Sequence, residues 1–215
     1  MTGTGWRRAA AVATLVLLCG CAGATGAPST ATRTAAPPAP TVPPGEQPQS
    51  QLGSRSATLE AARTEAGRQP VAVQVPGYPG FSPVRAYATD PVTRGMDLPK
   101  DSVTVAWWSP GSMPGDATGT AVLAAHVNYL GSRGPFTQIN RLPAGAIISV
   151  RQADGAVRNF RVAGERQVVR SALNRENLFR TTGAPRLALV TCGGKYNKTT
   201  RNYSDNIIVY AVPTG

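Results

Sequence analysis

The sequence predicts a mainly β fold, either a closed barrel or a sandwich. Apolar runs of strand length recur along it, turn signals containing Gly and Pro separate them, and helical signals are few and short.

The fold is preceded by two other segments. Residues 1–20 read as an export signal, with Arg7 and Arg8 as its basic start. Residues 9–18 follow as an unbroken small and apolar run, about the ten that such a signal needs and short of the roughly 20 of a membrane-spanning helix. Residues 21–68 read as a mostly disordered tether of Ala, Thr, Pro, Gly and Ser, with Pro37-Pro38, Pro40 and Pro43-Pro44 close together. Only 56–68 offers a short helix, with Leu59 and Ala62 on one side, and one Leu is little to hold it down.

The folded domain is expected over 69–215, long enough for one core. Residues 71–75 alternate as a strand and end at Pro76-Gly77. Residues 102–108 do likewise and end at Pro110-Gly111. Residues 119–127 are small and apolar, as in a buried strand. Residues 146–152 and 157–169 flank Asp154-Gly155, a hairpin signal. Two more apolar strands are expected over 187–191 and 206–212, with a polar segment between them. Short helical signals cover 135–140, around Phe136 and Ile139, and 174–179, around Leu178.

The cysteines narrow the chemistry. Leu18-Cys19-Gly20-Cys21 resembles the bacterial lipobox, which implies that Cys21 is lipidated and Cys19 is discarded with the signal. One thiol, Cys192, would remain in an exported chain, where cysteines are normally paired or avoided. A buried inert cysteine is the competing reading. The whole chain carries a formal +11; without Arg7 and Arg8, 20 basic and 11 acidic side chains leave +9. That surface suits anionic lipid head groups or acidic wall polymers. Export and the scatter of the arginines argue against nucleic acid.

His126 is the single histidine, and like Cys192 it falls at a predicted strand end. Cys192 is followed at once by Gly193-Gly194, which leaves its side chain accessible and lets a substrate backbone approach. A thiolate attacks acyl carbons, and an imidazole can take or return the proton. The carbonyl oxygen that becomes negative needs a donor such as a guanidinium or backbone N–H groups. The two residues are 66 apart, so only the fold can pair them.

The wider segments add a family. Residues 188–194 (ALVTCGG) and 200–211 (TRNYSDNIIVYA) closely resemble the active-site strand and final strand of sortases. The Thr-Cys-Gly-Gly and Tyr-x-Asp-Asn patterns are most similar to the actinobacterial class F group. Residues 120–126 (TAVLAAH) look like that family's histidine strand, and 134–142 like the helical turn after it. Weaker agreement reaches back to Val71.

This resemblance implies an eight-stranded closed β-barrel with short helices and a Cys-His-Arg catalytic set: Cys192 the nucleophile, His126 the general acid and base, and Arg201 the arginine. Ser204 sits where many relatives place another basic residue, and Lys198 and Arg180 are the alternatives to Arg201. Thr191, Gly193, Ala125, Asn128 and Leu173 are expected to contact substrate, with 171–179 lining the groove and Tyr129 and Trp108 as further wall candidates. The implied reaction is cleavage of a peptide sorting signal and transfer to an amine from a wall precursor or pilin, on the outer face of the membrane. A monomer is expected.

No cofactor is implied. One His and one mature thiol cannot make a zinc set, and Asp90, Asp97 and Asp101 are too few and too mixed with basic residues for calcium. Two rivals share the same residues. One is an exported cysteine hydrolase that transfers only to water. The other is a non-enzymatic lipoprotein that uses a sortase-like barrel for binding.

Overall fold

The computed structural model describes residues 50–92 and 95–214. The export signal, Cys21 and the first part of the tether lie outside these residues.

The expected end of the tether is more ordered than its sequence suggests. Helix α1 runs over Ser50–Gly67, 18 residues rather than a short turn. Leu59 stays exposed. The Ala, Glu, Arg and Gln of the helix are good helix formers, and its end is fixed to the barrel. There Arg68 forms an ion pair with Asp116, and the buried Gln152 amide donates to the carbonyls of Arg68 at 2.8 Å and Pro114 at 2.9 Å.

Among the described residues, eight of the ten strands close a barrel. These eight are β1 (Pro70–Gln74), β2 (Ser82–Tyr87), β3 (Val105–Trp108), β4 (Thr120–Ala124), β7 (Ile147–Gln152), β8 (Val157–Val169), β9 (Arg186–Asn197) and β10 (Asn202–Pro213). They follow one another around it as β1-β2-β3-β4-β9-β10-β8-β7, and β7 pairs back onto β1. Closure leaves no open sheet edge in the barrel. Strands β5 (Asn128–Tyr129) and β6 (Ser132–Arg133) form a small separate hairpin. The helical signals become two 3-10 segments, η1 (Ile139–Arg141) and η2 (Arg170–Glu176).

Strand alternation divides the apolar residues between two faces. Ala121, Leu123, Ala125, Leu187, Leu189, Val209 and Ala211 point inward with Phe136, Ile148 and Phe160 to fill the barrel. Val122, Ala124, Ala188, Val190 and Ile208 point outward. They are covered by Leu178, with Met96, Leu98, Trp108, Val168, Leu173 and Tyr210 packed around them. This second, outer cluster is the floor of the functional region.

Two expectations change in extent. Strand β2 was not expected, because Pro83 interrupts its pattern and proline normally demotes a strand; here it stands second in the strand, opposite Ala72. Strands β9 and β10 run through the segment expected to separate them, pairing from Leu187 and Ala211 out to Asn197 and Asn202. Their outer ends are polar because that part of the hairpin is mostly exposed, and its pairing comes from the backbone.

Candidate active site

Strands β4 and β9 run parallel, and each register pair from Thr120–Arg186 to Ala124–Val190 is 66 residues apart. The same offset continues past the end of β4. Ala125 N–H donates to Val190 O at 3.1 Å, and the Thr191 hydroxyl donates to Ala125 O at 2.7 Å. His126 and Cys192 come next on the two strands, at that same separation. Cys192 lines the outer groove with Val122, Ala124 and Val190, and His126 follows Ala125 on the neighbouring segment.

His126 is fixed from several sides. Its Nε2 lies 2.9 Å from the Pro99 carbonyl oxygen. A carbonyl only accepts, so Nε2 carries the proton and Nδ1 is the nitrogen left for exchange. The Tyr129 ring lies against the imidazole at 5.0 Å between centroids. Gly134 packs so closely on the His126 carbonyl that a Cβ there would fall 2.0 Å from it. The Thr137 hydroxyl, 2.6 Å from Val127 O, holds the chain just beyond. Two residues after Pro99 the chain turns at Asp101, whose Oδ1 accepts from Val103 N–H at 2.8 Å and Thr104 N–H at 2.6 Å.

Cys192 is a free, partly buried thiol. Burial pushes its pKa up, and the positive charge of Arg170 works against that rise. At neutral pH the thiolate is therefore a minority species. Beside the sulfur lies a mostly apolar groove of about 170 Å³, lined in part by Met96, Leu98, Val190, Leu173 and Phe179. Trp108 supports Phe179 edge-on at 4.7 Å and is itself anchored by its indole N–H to Thr89 Oγ1 at 2.8 Å.

The other expected site residues take distinct places. Leu173, Thr191 and Ala125 border the groove, but the Thr191 hydroxyl is committed to Ala125 O and the Ala125 side chain faces the barrel interior. Gly193 is buried against Ile207, where a Cβ would meet Ile207 Cδ1 at 2.6 Å. Asn128 donates from its amide to the Tyr203 hydroxyl at 2.9 Å, tying the small hairpin to β10. Arg201 is exposed in the turn between β9 and β10, with φ of 52°. Cys192 opposes Asn206, five residues further along the chain from Arg201. Lys198 lies exposed in the same turn region. Arg180 reaches Thr120 Oγ1 at 3.3 Å, at the far end of β4. Sequence reading passed over Arg170, because only the pairing of β8 with β10 reveals its position.

Fold and register thus describe a closed β-barrel protein with a free thiol beside an apolar groove and a histidine just past the end of the neighbouring strand. Residues 79–214 match the sortase domain model. The chain belongs to the sortase family, whose members are cysteine transpeptidases.

Solved sortase structures share the fold. Sortase C2 of Group B Streptococcus pilus island 1 is 17% identical, with a TM-score of 0.52 over 78% of this chain and 99% of that one. Sortase C-1 of Actinomyces oris is 20% identical, with a TM-score of 0.51 over 74% of this chain and 82% of the other. Sortase C of Streptococcus pneumoniae, described for its catalysis and pilin substrate specificity, is 16% identical, with a TM-score of 0.51 over 68% and 67%. A search of curated protein sequences finds no significant match.

Proposed function

We propose that this chain is a class F-type sortase that cleaves a short sorting signal through a Cys192 thioester and passes the acyl group to an amine at the cell surface. The observation that carries the reading is the shared register of His126 and Cys192 at the ends of β4 and β9, beside an apolar groove. The Thr191-Cys192-Gly193-Gly194 and Tyr203-Ser204-Asp205-Asn206 patterns support the class.

In the first step the Cys192 sulfur bonds to the scissile carbonyl carbon and the C=O π pair moves onto oxygen. The tetrahedral species collapses, the C–N bond breaks, and the His126 imidazolium protonates the leaving amine. A second amine then attacks the thioester, imidazole takes its proton, and the thiolate is released. The raised thiol pKa makes the reactive thiolate scarce at rest, so activity relies on a small thiolate–imidazolium population. The groove floor of Val122, Ala124 and Val190 suits an apolar side chain of the signal.

The proposed location is the outer face of the membrane, with lipid on Cys21 as the anchor. No helix among the described residues is long and apolar enough to cross a membrane. The test is to incubate the purified chain with candidate sorting peptides and an amine acceptor, and to resolve products by mass. A new amide absent from Cys192→Ala supports the reading; hydrolysis alone at every amine concentration supports the hydrolase instead.

A further inference from the structure

We infer that Arg170, at the first position of η2, is the cation that faces the Cys192 sulfur and receives the carbonyl oxygen of the substrate, the role the sequence suggests for Arg201. The inference rests on the proposal that Cys192 is the acyl-transfer nucleophile.

The register of three strands carries it. Cys192 on β9 opposes Asn206 on β10, and Asn206 opposes Val168 on β8. Paired residues point to the same side of a sheet, so Cys192, Asn206 and Val168 share the outer face, where Val168 packs on the groove floor. Arg170 lies two residues beyond Val168, where the chain leaves β8 for η2. Two strand spacings of about 4.8 Å put β8 roughly 10 Å from β9, a gap that an arginine side chain spans in large part. Arg201 by contrast lies five residues from Asn206, roughly 16 Å along the strand at about 3.3 Å per residue.

Charge agrees with the geometry. The positive charge felt by the Cys192 thiol, against the larger effect of burial, is that of Arg170. The other basic side chains nearby are engaged or remote. Arg166 pairs with Glu176 at 3.2 Å, Arg186 bonds Thr120 at the far end of β4 at 2.9 Å, and Lys195 and Lys198 lie on the exposed hairpin. Among the described residues no carboxylate pairs with Arg170. Its Nη1 donates to Asn202 Oδ1 at 3.0 Å, four residues along β10 from the Asn206 that opposes Cys192, so the guanidinium has to turn from Asn202 to meet the carbonyl oxygen, with the other donors of its planar fork free to do so. The remaining charged groups around the site are His126 with Asp101 beyond it, Asp205, which pairs with Gly193 and Val169, and Glu176 at the end of η2.

The experiment compares Arg170→Gln, Arg170→Lys, Arg201→Ala and Asn202→Ala in the full chain, each first checked for native thermal unfolding. Two probes are used: iodoacetamide, whose alkylation rate against pH reports the thiol, and p-nitrophenyl acetate, whose nitrophenolate burst reports acylation through an oxyanion. Arg170→Gln is expected to move the alkylation midpoint to higher pH and slow the burst at least about tenfold. Arg170→Lys should recover the midpoint but only part of the burst. Arg201→Ala and Asn202→Ala should stay within about twofold, since neither removes the cation. The inference is overturned if Arg201→Ala gives the loss and Arg170→Gln does not. It is also overturned if Asn202→Ala matches Arg170→Gln, which would assign the effect to hairpin docking. If neither probe modifies Cys192 in the unaltered chain, the nucleophile reading itself fails, and the inference with it.

Discussion

The Thr191 hydroxyl donates to the Ala125 carbonyl at 2.7 Å, across the two strands whose next residues are Cys192 and His126. This buried bond fixes the 66-residue offset where regular β4 pairing has ended. Thr191→Val keeps the shape and removes the donor, leaving Ala125 O unpaired in a buried place. We expect a loss of about 1–3 kcal/mol in denaturant unfolding together with slower Cys192 acylation, and Thr191→Ser should restore most of both. Unchanged acylation in Thr191→Val would mean that the offset is held by the backbone alone.

Gly193 is a packing requirement of the nucleophile strand. A Cβ there meets Ile207 Cγ1 and Cδ1, each at 2.6 Å, so Gly193→Ala should cost about 1–3 kcal/mol through overpacking. Ile207→Ala alone should cost about 2–5 kcal/mol as a cavity. The double variant should be more stable than the sum of the two losses predicts, by about 1 kcal/mol in a double-mutant cycle. Strict additivity would contradict the contact.

Asp101 opens a turn two residues beyond the Pro99 carbonyl that bonds His126. Its carboxyl is kept below the usual range, chiefly by the Thr104 amide hydrogen bond, with His126 a minor contributor. A depressed carboxyl pKa stabilises the fold above the unfolded-state value, and that contribution is lost as pH falls through the folded value. Asp101→Asn keeps an acceptor for Val103 and Thr104 and should retain most activity. Asp101→Ala removes the acceptor of that turn, and we expect roughly a tenfold lower acylation rate from misplacement of the imidazole. Equal losses in both variants would point to the charge instead of the turn.

The thiol itself gives a pH prediction. Burial raises the Cys192 pKa, so alkylation by iodoacetamide should reach half its limiting rate above the roughly 8.5 of a free cysteine. Ionisation is also easier in the unfolded chain, so this group withdraws stability as pH rises from the unfolded to the folded value. An alkylation midpoint near neutrality would require a resting thiolate that the groove does not favour.

Much of the barrel was legible because its strands bury one or both faces, leaving runs such as 119–127 and 187–191 visibly apolar. Positions set only by pairing were not legible. Arg170 is an ordinary strand-end arginine until β10 joins β8 to β9, and Arg201 and Ser204 drew attention through the resemblance of their segment to the final strand of sortases. The outer halves of β9 and β10 were read as a polar spacer because backbone pairing leaves no apolar trace there. Strand β2 was hidden by Pro83, and α1 by an apolar content too low to suggest that anything held it. His126 and Cys192 were legible as two singular residues at strand ends; the meaning of their separation was not, since it depends on β4 and β9 running parallel.

The central claim is that Cys192 is a working nucleophile paired with His126. The most direct measurement is intact-mass and peptide-level detection of a covalent Cys192 adduct after exposure of the full chain to an electrophilic sorting-peptide analogue at near-neutral pH. The account predicts one adduct per chain, located on Cys192, strongly slowed in His126→Ala and absent in Cys192→Ala. No adduct on Cys192, or one that forms equally fast without His126, would contradict it.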